Sequence, residues 1–128
     1  MSHALVIGEA LVDIVQDAAG GTTEHPGGSP ANVALGLARL GRHAELATWF
    51  GRDPRGHVVS DHLRASGVHV VPGSDGAERT STAIATLDAD GAATYTFDLL
   101  WNVPEVHLDD DLAVLHVGSI GATLTPGA

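Results

Sequence analysis

The chain has 128 residues, 44% hydrophobic and 17% charged, with no cysteine and a net charge of −10 at pH 7. That length and balance describe one ordinary folded domain rather than a disordered chain. The acidity argues against a nucleic-acid partner, the lack of cysteine excludes disulfides and thiolate metal sites, and no apolar run approaches the ~20 residues that cross a bilayer.

"ALVIG" (Ala4 to Gly8) is a short continuous apolar run, as in a strand buried on both faces of a parallel sheet. The N-terminal stretch lacks a basic start and is interrupted by Glu9 and Asp13, so it does not read as a secretory signal, and a cytoplasmic setting is expected. "ALVDIVQD" (Ala10 to Asp17) continues as a second extended piece, with Asp13 among aliphatics. "AAGGTTEHPGG" is a loop by composition. A helix follows, with Ser29 as its cap, Pro30 at its first position, Val33, Leu37 and Leu40 as its buried stripe and Gly41 as its stop. "AELATWFG" (Ala44 to Gly51) reads as a strand. Asp53 and Pro54 open a second helix that runs to Ser66 and stops at Gly67, and "VHVV" is a short strand. Strand, helix, strand, helix, strand is the order of a parallel α/β sheet.

The pattern then changes. "STAIATLD" and "AATYTFDL" alternate with period two around Asp90-Gly91, which predicts a hairpin over Ser81–Phe97 standing off the main sheet as a flap or lid. "WNVPEVHLDDD" is a loop or short helix, "LAVLHVG" (Leu112 to Gly118) is a buried parallel-type strand, and "SIGATLTPGA" has the makings of another helix. There is no internal repeat.

The chemistry concentrates in "HPGGSPANVALGLARLG" (His25 to Gly41). Two glycines before a helix let a ligand approach backbone without a Cβ in the way, and the helix start presents free N–H groups. Phosphate and sugar hydroxyls are both candidate ligands. The stretch has no G-x-x-x-x-G-K-[ST], the first strand is followed by "GEALVD" rather than G-x-G-x-x-G, and no Lys or Arg stands in the loop. Only six Lys and Arg residues exist to offset the acidic field, so a neutral polar ligand is the easier fit. Asn32 offers one acceptor and two donors, which suits hydroxyls, although the same residues also suit a plain turn with a local cap.

The span "GGSPANVALGLARLGRHAELATWFG" resembles the N-terminal signature of the ribokinase-like carbohydrate kinases, with Gly27, Gly28, Asn32, Ala34, Gly41 and Gly51 at the constrained positions. "VIGEALVDIV", "GRDPRGHVVSDHLRASGV" and the hairpin are similar to neighbouring segments of that family, and "YTFDLLW" to its fructokinase-type members, so the resemblance covers essentially the whole chain. It implies a Rossmann-like parallel sheet with helices and a small antiparallel β lid at about residues 80–98. It also implies that Asp13, Gly27, Gly28 and Asn32 bind a small neutral sugar, while the lid excludes water from a phosphoryl donor; Phe97, an aromatic near the lid, is a candidate to line the pocket.

The family's second signature, a glycine-rich anion hole with the aspartate base, has no match here. The resemblance thus implies residues 1–128 to be the incomplete N-terminal part of a sugar kinase, with no catalytic residue of its own, little activity alone, and no ATP or Mg2+ bound by it. A parallel sheet left open at one edge, together with an apolar lid, leads to an expected homo-oligomer through either surface, with no nucleic-acid or membrane partner. Rival readings are a non-catalytic sugar-binding or regulatory module and, against the missing glycine fingerprint, a dinucleotide-binding oxidoreductase domain. His57 and His62 are five apart and off a common helical face, so no metal site is expected. Asp109 to Asp111 reads as a solvated turn, His116 as a core or site-wall residue, and Trp49 and Trp101 as packing residues, Trp101 with Phe97 near the pocket. Ser119 follows the end of a strand, where α/β sites form.

Overall fold

In the computed structural model, which describes residues 2–123, the first aliphatic run forms β1 (His3–Ile7), an inner strand of a four-stranded parallel sheet. It pairs with β4 (Ala44–Ala47) on one side and β8 (Leu112–Val117) on the other, and β5 (His69–Val70) pairs beyond β4. Ala4, Leu5 and Val6 are all buried, so both faces of β1 are covered. Helix α1 (Ser29–Arg39) packs on β1 and β4, and α2 (Pro54–Ala65) packs on β5.

Past Ile7 the chain leaves this sheet through Gly8, Glu9 and Ala10 and enters a second one. Its strands are β3 (Thr22–Gly27), β2 (Leu11–Gln16), β6 (Thr82–Leu87) and β7 (Ala93–Asp98), in that spatial order. β2 and β6 run parallel, and the two outer strands run antiparallel to them. Ala10, Val12 and Ile14 turn one side of this sheet into a core shared with Leu35, Leu46, Phe50, Val59 and Leu63. The alternate residues Leu11 and Asp13 face the other way.

Several local expectations are corrected. The stretch read as a loop contains β3, an outer strand whose residues Thr22 to His25 are exposed and therefore carry no apolar alternation. Its turn is closed by Asp17, whose Oδ1 accepts from the amides of Ala19 (3.0 Å) and Gly21 (2.7 Å). The hairpin of β6 and β7 is half of a four-stranded sheet rather than a two-stranded flap, because β6 pairs with β2. Gly28, not Ser29, is the N-cap of α1, and no side chain caps it. The face of α1 turned to the sheet is made of Pro30, Ala31, Ala34 and Leu35, the two alanines letting the helix lie close; Val33 and Leu37 flank it, and Leu40 is 81% exposed. β4 ends at Ala47, because the amides of Thr48 and Phe50 donate to the Oγ and carbonyl of Ser74 instead of continuing the ladder. β8 is not buried. It is the outermost strand of its sheet, and Val114, Leu115 and Val117 are exposed. Helix α3 (Ser119–Thr123) begins where expected, and the remainder of that tail lies outside the described residues.

The second helix matches its sequence signals closely. Asp53 is the cap, with Oδ1 accepting from the Gly56 amide (2.8 Å), and Gly67 follows the C-terminus with φ 88°. The same carboxylate reaches the second sheet. Oδ1 also accepts from the Thr80 hydroxyl (2.6 Å) and Oδ2 from the Thr80 amide (2.9 Å), just before β6. Thr80 Oγ1 in turn accepts from the Gly51 amide (3.1 Å). Ser81 then binds the amide of Leu100 (2.9 Å), tying the two feet of the hairpin together.

Burial by itself would raise the Asp53 pKa; the donors of Thr80 and Gly56 outweigh it and hold the carboxyl below the usual carboxylate range. The lowered value in the folded state means that its stabilisation is complete above the unfolded-state pKa of about 3.9 and fades as the pH drops below it. Asp53→Ala strands three donors and is expected to lower the unfolding free energy by about 1–3 kcal/mol at pH 7. Urea unfolding at pH 7 and pH 3 checks this: the difference between the two proteins should shrink in acid.

Candidate functional site

The site begins with a close approach between α1 and the crossing from β1 to β2. Gly28 has φ 101°, a region L side chains rarely adopt, and a β-carbon on it would lie 2.5 Å from the Glu9 carbonyl oxygen. Next to it the ring of Pro30 fills the space over Gly8 and Gly118, and a β-carbon on either glycine would collide with the ring. These glycines end β1 and β8. The first turn of α1 is therefore seated at the C-terminal ends of parallel strands, where open α/β sheets bind ligands.

The second sheet supplies the facing wall. Its register aligns His25, Asp13, Ala83 and Phe97 in one cross-strand row. Between this wall and α1 lies an open cavity of about 590 Å³, within the range of small-molecule sites at roughly 300–1,000 Å³. Its polar lining is Glu9, Asp13, Ser29 and Asn32 with the backbone of Gly28; Leu11, Val33, Ala83, Phe97 and Ile120 supply the apolar part.

Of the residues singled out in the sequence, Asp13, Gly28, Asn32 and Phe97 meet around this one space. Phe97 is 60% exposed and forms its open side. Gly27 is outside the lining but on the same face of the sheet as Asp13: it pairs with Leu11, and a β-carbon on it would collide with the Asp13 carboxylate. Trp101 is not part of the lining; it is half-buried, and its Nε1 has no acceptor. Trp49 packs its ring over Gly76. His116 is half-buried in β8 opposite Val6, outside the lining. Asp109 accepts from the Asp111 amide (3.1 Å) in an exposed turn. Ser119 opens α3, and the next residue, Ile120, reaches the cavity. Glu9, Leu11, Ser29, Val33, Ala83 and Ile120 were not singled out as ligand-binding residues; the sequence reads Ser29 as a cap and Val33 as a buried position. Glu9 alone carried a signal, a charge directly after a buried strand.

The electrostatics are one-sided. All six basic residues are arginines and none lines the cavity. Three are engaged elsewhere, in the pairs Arg52–Asp75 (3.0 Å), Arg55–Glu24 (2.8 Å) and Arg79–Asp98 (2.8 Å). Hydrogen bonds from the Arg55 and Arg79 guanidinium groups hold the Glu24 and Asp98 carboxyls below their usual range. The lining thus presents carboxylate acceptors and one amide, a set that suits hydroxyl groups. It does not fit a nucleotide triphosphate, which needs basic side chains or a glycine-rich anion hole. Among the described residues no three His, Asp or Glu side chains converge on a metal position.

A family model described as pfkB family carbohydrate kinase matches residues 1–109. The chain is 42% identical over 93 residues to a fructokinase of Klebsiella pneumoniae, covering 72% of this chain and 30% of that protein. It is 35% identical over 128 residues to a fructokinase of Salmonella typhimurium, covering 94% and 42%. Among solved structures, the apo fructokinase of Vibrio cholerae O395 superposes with a TM-score of 0.72 at 30% identity, over 99% of this chain and 46% of that one. Ribokinase from Cryptococcus neoformans var. grubii serotype A, solved in complex with ADP, gives 0.70 at 26% identity, over 91% and 40%. The chain spans less than half the length of each of these proteins.

Because the approach at Gly28 is between backbones, nothing flexible is available to yield. Gly28→Ala is expected to cost about 1–3 kcal/mol of stability. Thermal unfolding measures it, and an unchanged midpoint would mean that the backbone at this cap has another conformation.

Proposed function

The chain belongs to the pfkB family of carbohydrate kinases, and from that premise we propose that it is the sugar-holding portion of an ATP-dependent kinase of fructokinase type. One observation carries this reading: Asp13 and Phe97 from the second sheet and Gly28 and Asn32 from the start of α1 line a single open cavity. Asp13 accepts from sugar hydroxyls through an ionised carboxylate, and Asn32 both donates and accepts. Gly27 leaves the Asp13 carboxylate its room. The second sheet, with Phe97 at its open side, shields the sugar from water. In the complete enzyme ATP with Mg2+ supplies the phosphoryl group, and the residues of this chain hold and orient the acceptor. The apo fructokinase and the ADP-bound ribokinase among its structural neighbours support both halves of that assignment. Among the described residues no helix is long and apolar enough to cross a membrane.

Self-association is part of the proposal. Tyr95 and Phe97 stack with ring centres 6.3 Å apart on the outer strand β7, and both are exposed. A second copy of the chain covers this surface.

Asn32→Ala is expected to weaken binding of D-fructose by about 1–3 kcal/mol, the cost of a hydroxyl left without its partner. Calorimetry showing equal affinity in both proteins would remove Asn32 from the site. For assembly, sedimentation at micromolar concentration is expected to show a dimer or larger species. A sharp monomer at that concentration would overturn the self-association.

A further inference from the structure

Glu9 is the only buried side chain with a formal charge among the described residues, at 8% exposure. Its Oε2 is shut off from solvent and has no donor within hydrogen-bond distance. A buried carboxylate oxygen without a partner is costly, and folded proteins rarely keep one. No arginine or histidine stands in the cavity to pair with it. Glu9 lines the same cavity as Asp13 and Asn32, on the side where the chain crosses from β1 to β2. Gly118 leaves the carboxylate its room, since a β-carbon there would lie 3.3 Å from Oε2. A carboxylate only accepts, so the missing partner is a donor; the cavity that Glu9 lines is where one arrives, reached by a turn of the Glu9 side chain toward it.

We propose that Glu9 is a specificity-determining residue whose carboxylate accepts a hydrogen bond from one hydroxyl of the bound sugar. The assignment rests on the sugar-binding reading above. It gives the site a pair of carboxylates, Glu9 and Asp13, in one lining. Each takes a different part of one polyol. A ligand that lacks the hydroxyl meeting Glu9 leaves a buried charge unpaired and is rejected for that reason.

The test is calorimetry of this chain with D-fructose and each of its monodeoxy analogues, using the wild type, Glu9→Gln, Glu9→Asp and Asn32→Ala. Glu9→Gln removes the charge at constant shape, and its affinity for D-fructose is expected to fall about 10-fold. One deoxy analogue, the one lacking the hydroxyl that meets Glu9, is expected to bind wild type and Glu9→Gln alike. Glu9→Asp keeps the charge but withdraws it by a methylene, and is expected to show the same loss with the same exception. If Glu9→Gln and Glu9→Asp bind D-fructose as the wild type does while Asn32→Ala binds it weakly, the Glu9 assignment fails and the sugar reading stands. A uniform loss across all analogues also overturns the assignment, because a merely structural carboxylate does not distinguish hydroxyls. If the wild type binds none of these sugars, the sugar reading and the Glu9 assignment fall together.

Discussion

The contact that the rest of the structure depends on is the seating of Pro30 and Gly28 against the crossing between the two sheets. Pro30 needs Gly8 and Gly118 beneath it, and Gly28 needs its positive φ to pass the Glu9 carbonyl. Both requirements concern excluded volume rather than attraction, and packed interiors do not relax around such overlaps. With that seat in place, the first turn of α1 points Asn32 across a gap at Asp13. Without it, helix and second sheet would each persist as elements, but they would not face one another at a distance a small molecule can bridge.

Position of the second sheet is secured by a different kind of interaction. Asp53 caps α2 and holds Thr80, so one carboxylate joins the helix to the foot of β6. The Arg55–Glu24 pair adds a link from α2 to β3. Exposed ion pairs of this kind contribute ~0–1 kcal/mol each, so the partly buried Asp53 network carries more of the anchoring. A sheet held at its feet and open at Phe97 keeps a defined register while leaving a path into the cavity. The surface arginines compensate acids outside the cavity, and the cavity keeps its negative character.

Much of this was legible in the chain itself. Apolar runs and cap residues located β1, β2, α2 and the parallel order, because continuous hydrophobicity and an Asp-Pro opening act over a few residues. Asp13 stood out as a lone acid among aliphatics, and the paired glycines ahead of Asn32 as an unusual helix start. β3 was not legible, since an exposed outer strand carries no alternation. The buried side of α1 was misjudged for a related reason: large aliphatics mark a helix as amphipathic, but the closest packing is made by Ala31 and Ala34, whose merit is being small. The exposure of β8 depends on its place at the edge of a sheet, which its aliphatic composition does not report.

By itself, then, the sequence determined the elements other than β3, their alternation and the residue types able to bind hydroxyls, all of which follow from short-range periodicity and backbone preference. Only the tertiary structure decided which of those residues meet. The row of Asp13, Ala83 and Phe97 exists because β2 pairs with β6 and β6 with β7 in one register, a relation between segments about seventy residues apart. The burial of Glu9, a charge directly after a buried strand, likewise belongs to the crossing between two sheets and to the helix seated on it. Long-range packing sets both, and no local pattern encodes them.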